Sequence, residues 1–246
     1  RFSQSELLAP YAGIICIRVS LTRIYDIAND ITARYRNDGY VLSRAIVSEQ
    51  RLTRDDATVT INVIEGYVAD VDIRGDVAGR QGMLDRMAAD VVAERPHRQQ
   101  RLERFLLLLN DMAGATAGVT GTYVPIENQP GAFRVVVVMA QDRFSATIGQ
   151  TNRGSELLGP NQSEIGFGLN SVLGLYEQTT FRYITTGSDN NLDFYSLGQS
   201  YWLGASGAKL NWQVSATEAV PELGADFQAF NLETESTSGS IGIEYP

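Results

Sequence analysis

The chain changes its hydrophobic period part-way along, and the change divides it. Over residues 20–39 apolar side chains recur at Leu21, Ile24, Tyr25, Ala28, Ile31 and Tyr35, the spacing of one helical face. Ser20 is placed to cap that helix, and Gly39 to end it. A shorter helical stretch, Gln4 to Tyr11, comes first. Two strands are predicted afterwards, Tyr40 to Ser48 and Ala57 to Ile64. In the second, Val59, Ile61 and Val63 alternate with Thr58, Thr60 and Asn62. Arg54, Asp55 and Asp56 supply the turn between them.

The same order then returns with a leading strand, Tyr67 to Arg74, in which Ala69, Val71 and Ile73 alternate with Asp70 and Asp72. Helices are predicted over Gln81 to Glu94 and His97 to Met112, the latter carrying Leu102, Phe105, Leu106, Leu109 and Met112 along one side. Two strands close the unit, Ala117 to Pro125 and Ala132 to Gln141, joined by a turn at Asn128 to Gly131. The repeat is β-α-α-β-β, and the first strand of copy one is expected upstream of Arg1. At Gly66 and Tyr67 one copy runs into the next without a linker, which predicts a rigid pair.

From Arg143 the helical period stops, and segments of about ten residues alternate apolar with polar positions. Lys209 to Thr217 is the clearest: Leu210, Trp212, Val214 and Ala216 alternate with Asn211, Gln213, Ser215 and Thr217. About six strands are predicted, with breaks at Asn152 to Gly159, Gly187 to Asn191, Gly204 to Gly207 and Pro221 to Ala225. The pattern fits a soluble sandwich or a membrane barrel. The polar positions favour the barrel, because they are mainly Ser, Thr, Asn, Gln and Gly and so suit a watery lumen. Tyr176, Tyr183, Tyr201, Trp202 and Tyr245 sit near segment ends, as an aromatic girdle would.

Charge follows the same division. Residues 1–141 carry 16 Arg against 17 acidic groups, a net of −1, whereas residues 142–246 carry 4 basic against 12 acidic groups, a net of −8. Neither part has the basic excess that phosphate neutralisation demands, which argues against a nucleic-acid partner. The one cysteine, Cys16, lies among Gly13, Ile14, Ile15 and Ile17 and is expected to be an apolar filler. With a single histidine, His97, there are few partners for zinc or for a nucleophilic relay. Gly166-Phe167-Gly168 begins a dinucleotide-type glycine motif but lies in a predicted strand and reaches Ser171 where the third glycine belongs. Asp70 and Asp72 fall on a polar strand face, where solvation is expected. No catalytic residue, metal ligand or cofactor site is therefore assigned. No run reaches the 18 or so apolar residues of a spanning helix, so a membrane could be crossed only by strands. The chain opens on Arg1 without an initiator Met and ends on Pro246, as an excerpt of a longer precursor would.

Four stretches carry a resemblance in order: ITARYRNDGY at Ile31 to Tyr40, VIEGYVADVDIRG at Val63 to Gly75, LERFLLLLNDMAG at Leu102 to Gly114, and TNRGSELLG at Thr151 to Gly159. Together they resemble the two-partner secretion transporters, the haemolysin secretion/activation and filamentous-haemagglutinin transporter family of the Omp85 superfamily. The chain departs from that pattern before Ser48-Glu49-Gln50, where the family commonly has a proline. It departs again at Met112-Ala113-Gly114, where the family commonly has Pro-Gly. The family's plug helix and its later Arg-bearing barrel loop are outside the chain.

The resemblance implies an α+β and all-β protein: two POTRA domains (β-α-α-β-β) followed by the first strands of an incomplete transmembrane antiparallel β-barrel. The expected boundaries are residues 1–66, 67–142 and 143–246. It implies a pore in the bacterial outer membrane with POTRA domains in the periplasm, which binds an unfolded secreted exoprotein by its amino-terminal secretion domain and passes it outward. Assembly of outer-membrane proteins is the alternative task. The implied partners are the exoprotein and outer-membrane lipid, with no cofactor and no small-molecule substrate. In POTRA folds the second strand lies at the sheet edge, so passenger binding is expected along Val41, Leu42, Ser43, Arg44, Ala45 and Ile46, with Arg34 and Tyr35 lining a groove. The corresponding stretch of the second unit is Val119, Thr120, Gly121, Thr122 and Tyr123. Arg44 and Arg51 could add charge selection. In the barrel, Arg182 alternates with Phe181 and Tyr183 and is expected to line the pore, paired with Glu164. Arg153 is the other notable cation there.

Overall fold

The computed structural model describes residues 1–52, 57–116, 118–186, 191–221 and 232–246. The turn expected at Arg54 to Asp56, and most of the breaks at Gly187 to Asn191 and Pro221 to Ala225, lie outside the described residues. The chain divides into two compact units. One comprises Arg1–Arg74, Met87–Leu107 and Thr120–Val138, and the other Gly75–Arg86, Leu108–Val119 and Met139–Pro246.

The first unit opens with α1 (Gln4–Leu8), whose Ser3 and Glu6 form a capping box, and continues through a 3-10 turn at Ala9–Ile14 into α2 (Leu21–Asn37). Ser20 caps α2 by accepting from the Arg23 N–H at 3.2 Å. The helix ends in a Schellman motif: Gly39 takes φ 87°, its N–H donates to the Arg36 carbonyl, and the Tyr40 N–H donates to the Tyr35 carbonyl. Ile24, Ile27, Ala28, Ile31 and Tyr35 fall on one face and form a core with Tyr40 and Ala45. Phe2, Leu7, Ile61 and Val63 pack against that core from either side in sequence. Each fully buried aliphatic side chain there contributes about 1.5–3 kcal/mol.

Strands β1 (Arg44–Val47) and β2 (Ile61–Ile64) pair antiparallel as a two-stranded sheet. β1 is shorter than expected, because the Ser43 N–H closes a turn on the Tyr40 carbonyl and keeps Val41 and Leu42 out of the strand. β3 (Tyr67–Arg74) follows directly. Gly66 leaves no room for a side chain at the junction, where a Cβ would lie 2.4 Å from the Leu42 carbonyl oxygen. β5 (Ala132–Val138) is central, parallel to β3 and antiparallel to β4 (Thr120–Pro125), so β4 is an edge. The helices of the second copy are α3 (Gln81–Ala93) and α4 (Gln99–Asn110).

The second unit contains a six-stranded antiparallel meander: β6 (Phe144–Thr151), β7 (Gln162–Asn170), β8 (Gln178–Thr185), β9 (Leu192–Trp202), β10 (Lys209–Ala219) and β11 (Thr234–Glu244). Its order is sequential, and β6 and β11 are its two edges. No helix among the described residues is long and apolar enough to cross a membrane, which says nothing about a barrel.

Candidate functional site

The predicted site residues separate into an edge in each repeat and a wall in the meander. On β1, Arg44 is exposed, Ile46 is 36% exposed and Ala45 is buried, and Ser43, just before the strand, is buried as well. Tyr35 does not line a groove. It is 1% exposed, its hydroxyl donates to Glu65 at 3.0 Å, and burial, followed by that carboxylate, pushes its pKa up to about 12. The reason is the helical period itself, which puts Tyr35 in line with Ile31 and Ala28 on the core face. Arg34 is exposed but engaged: its guanidinium donates to the Glu6 carbonyl at 2.9 Å and lies 4.5 Å over the Phe2 ring.

On β4, Thr120 and Thr122 are exposed, while Tyr123 turns inward beside His97. His97 is wholly buried, its Nε2 3.0 Å from the Tyr123 hydroxyl. Burial lowers the His97 pKa against the opposing pull of Glu94 and the Val91 carbonyl; burial, then Glu103, pushes Tyr123 up to about 12. Gly121 sits under α4, where a Cβ would meet both Leu106 methyls at 3.3 Å. Val119 is buried and belongs to the lead-in of the strand rather than to the strand. In the sequence His97 stands out only as a lone histidine. Its position as the link from α3 to β4 and, through its N–H to the Gly66 carbonyl at 2.9 Å, to the junction of the repeats has no local signal.

In the meander, register separates two chemistries. One row across all six strands reads Thr147, Gly166, Arg182, Ser196, Ser215 and Ser238, and the next reads Ala146, Phe167, Phe181, Leu197, Val214 and Gly239. Because side chains alternate, the first row shares one face of the sheet and the second the other. Arg182 and Glu164 meet on the polar face, with Nη2 to Oε2 at 2.9 Å and Nε to Oε1 at 2.5 Å. Large apolar side chains on the other face are open, Ile148 at 86% and Phe167 at 44%. Tyr183 and Tyr195 stack there at 4.8 Å.

Two further expectations are corrected. Tyr176 is not a girdle residue: it is 1% exposed, seated in the β7–β8 turn against Gly79, where a Cβ would lie 2.4 Å from the ring. Cys16 is exposed rather than a core filler, because the segment around it is open, Ile15 and Ile17 included. Asp70 and Asp72 lie at the surface, as expected, each beside an arginine: Asp70 is 2.8 Å from Arg134 and Asp72 2.7 Å from Arg74. Among the described residues no cluster of His, Cys, Asp and Glu could hold a metal.

The fold has solved counterparts. CdiB from Escherichia coli superposes with a TM-score of 0.74 at 18% identity, covering 100% of this chain and 45% of that one. CdiB from Acinetobacter baumannii gives 0.59 at 12% identity, over 98% of this chain and 46% of its own. BamA from Haemophilus ducreyi, lacking POTRA domains 1-3, gives 0.53 at 12% identity, over 97% and 46%. In sequence, residues 1–66 match the family described as POTRA domain, ShlB-type. Heme/hemopexin transporter proteins HuxB of Haemophilus influenzae align over 244 residues, 97% of this chain, at 22% to 23% identity. Through the ShlB-type POTRA match at residues 1–66 and its likeness to HuxB and CdiB, the chain is similar to the two-partner secretion transporters of the Omp85 superfamily. It spans 40% of the length of the curated relatives it matches. It is an α+β and all-β protein with a ShlB-type POTRA match at residues 1–66 and an antiparallel sheet that resembles that of CdiB.

Proposed function

We propose that the whole protein is an outer-membrane pore of a two-partner secretion system, with POTRA domains in the periplasm that receive an unfolded exoprotein and strands that form part of the pore wall. The observation that carries this reading is the pairing of a ShlB-type POTRA domain with a sheet that is small and polar on one face and apolar on the other. The apolar face then meets lipid and the polar face water. The second POTRA domain extends over residues 67–142 and the barrel wall begins at residue 143. Arg182 and Glu164 line the pore, because an arginine on the lipid face would cost about 2–4 kcal/mol at the midplane.

The task needs no chemistry at a covalent centre. Passenger binding draws on free backbone groups at a sheet edge, which accept any extended chain and so suit an unfolded ligand. The experiment is complementation: the full-length protein, or a version lacking residues 1–142, is produced with its cognate exoprotein in a strain lacking the transporter. Exoprotein in the medium is expected only with the full-length protein. Retention of exoprotein in the periplasm despite a folded full-length barrel in the outer membrane would overturn the reading. Loss of other outer-membrane proteins in the deletion strain would instead support the assembly role.

A further inference from the structure

The two edge strands differ in which outward backbone groups the chain already occupies. In an antiparallel pair, alternate residues turn their N–H and C=O away from the partner. On β1, the Ala45 N–H donates to the Thr32 hydroxyl at 2.9 Å, and that hydroxyl donates in turn to the Ala28 carbonyl at 2.9 Å. The Ser43 N–H, two residues earlier, donates to the Tyr40 carbonyl at 3.0 Å. Two successive outward donors of the first edge are thus held by α2 and by the turn that follows it.

On β4, the phase is set by the Ile126 N–H, which donates to the Ala132 carbonyl at 3.0 Å in the register continued from Pro125 and Phe133. Even-numbered residues of β4 therefore bond to β5, and Gly121, Tyr123 and Pro125 face outward. Val119, earlier on the same phase, has both groups taken by the Asn110 carboxamide: its N–H donates to Oδ1 at 3.0 Å, and Nδ2 donates to its carbonyl at 3.4 Å. A carboxamide engaged in this way is a peptide bond in miniature laid along the strand. Pro125 has no N–H to offer. Among the described residues, the outward groups of Gly121 and Tyr123 have no hydrogen bond.

We propose that strand addition takes place on β4 and not on β1, at the window formed by Gly121 and Tyr123, and that Thr32 keeps the β1 edge closed. The occupant is an extended segment of the exported partner, bound through its main chain. This assignment rests on the export reading and names where that reading is carried out. The protein supplies its own precedent: Val119, on the same phase, already holds an amide in the geometry an added strand would use. A bare edge with unpaired amides is otherwise a liability that folds cover, as α2 covers β1.

The test uses the full-length protein in proteoliposomes, a photo-crosslinking residue at Thr122 or at Ile46, and the urea-unfolded secretion segment of the cognate exoprotein as probe. Crosslinks from Thr122 and background from Ile46 are expected. Thr32→Ala, which removes both the hydroxyl that holds the Ala45 N–H and the bulk over it, should raise the Ile46 yield above background but not to that of Thr122, because the Ser43 N–H stays on the Tyr40 carbonyl, with heat-modifiable migration confirming a folded barrel. Crosslinking from Ile46 in the unsubstituted protein, or silence at Thr122 while the segment binds, would overturn the choice of edge and leave the export reading standing. Failure of the segment to bind at all would remove the export reading and this assignment with it.

Discussion

His97 is wholly buried between the end of α3 and β4, and its surroundings decide how it responds to acid. The groups facing it are the Tyr123 hydroxyl, the Glu94 carboxylate and the Val91 carbonyl; burial outweighs the last two and holds its pKa below the ordinary 6.5. A histidine with a depressed folded pKa contributes stability that is present above about pH 6.5 and is lost as pH falls through the folded value. Amide exchange in β4, corrected for its intrinsic pH dependence, should therefore quicken as pH falls from about 7.5 to about 5. The slope should flatten in His97→Gln, and an equal slope in both proteins would mean that His97 does not set it. A second residue-scale expectation concerns Arg182. On the proposed pore reading, Arg182→Ala leaves Glu164 without its partner on the polar face, and the full-length protein in a planar bilayer should become more cation-selective, read as a shift in reversal potential. An unchanged reversal potential would argue against a lumen position.

At the scale of elements, the β7–β8 turn is held by its own charge and by a glycine. Glu177 is 1% exposed, and its carboxylate accepts from the Leu173 N–H at 2.6 Å and the Leu175 N–H at 2.9 Å. This binds the turn from within and presents Tyr176 at φ 56°, whose hydroxyl donates to the Arg80 carbonyl at 3.3 Å. Burial, then Asp85, pushes the Tyr176 hydroxyl up to about 12, so it remains a donor throughout the physiological range. Gly79 has φ 140°, and any side chain there collides with the ring. Gly79→Val should destabilise the protein by about 1–3 kcal/mol through overpacking and backbone strain. Tyr176→Phe should cost only about 0.5–1.5 kcal/mol, the worth of one hydrogen bond. Both are measured as shifts in the temperature at which compact electrophoretic migration is lost. A Gly79→Val protein as stable as its parent would show that the turn does not seat there.

Elements are legible in proportion to how local their causes are. α2 can be read to its caps because Ser20, Gly39 and the apolar stripe all lie within or beside it, and the ends of the strongly alternating β3 and β4 coincide with those expected at Arg74 and Pro125. The start of β1 cannot be read, because Val41 and Leu42 have strand propensity and only the Tyr40 to Ser43 turn overrides it. Tyr176 escapes a sequence reading for the same reason: an aromatic near a strand end suits a girdle, and its burial depends on a glycine 97 positions earlier in the chain, at Gly79.

For the whole molecule, the open meander dictates behaviour in solution. Six strands leave β6 and β11 as edges, and one face carries Ile148, Phe167 and Ile241 in the open. Exposed apolar surface of that kind drives association unless covered. Residues 1–246 alone should sediment without detergent and remain dispersed with it, whereas residues 1–142 should stay soluble without detergent. Ultracentrifugation of both decides this, and a monodisperse 1–246 in plain buffer would return the sheet to the soluble class.

The order of elements, the succession of two helices and two strands in each copy, the change of period near residue 143 and the alternation of the meander were determined by the sequence alone, since each depends on spacing within one segment. The Arg182 and Glu164 pair could also be anticipated, because both fall on the polar phase of strands predicted to be neighbours. Only the tertiary structure decided which backbone amides remain available. Whether Ala45 is occupied depends on Thr32, and whether Val119 is occupied depends on Asn110, each brought there from another segment. Hydrogen bonds of that kind are set by where segments meet and leave no period in the chain, so a strand can be recognised from its own residues while the openness of its edge cannot.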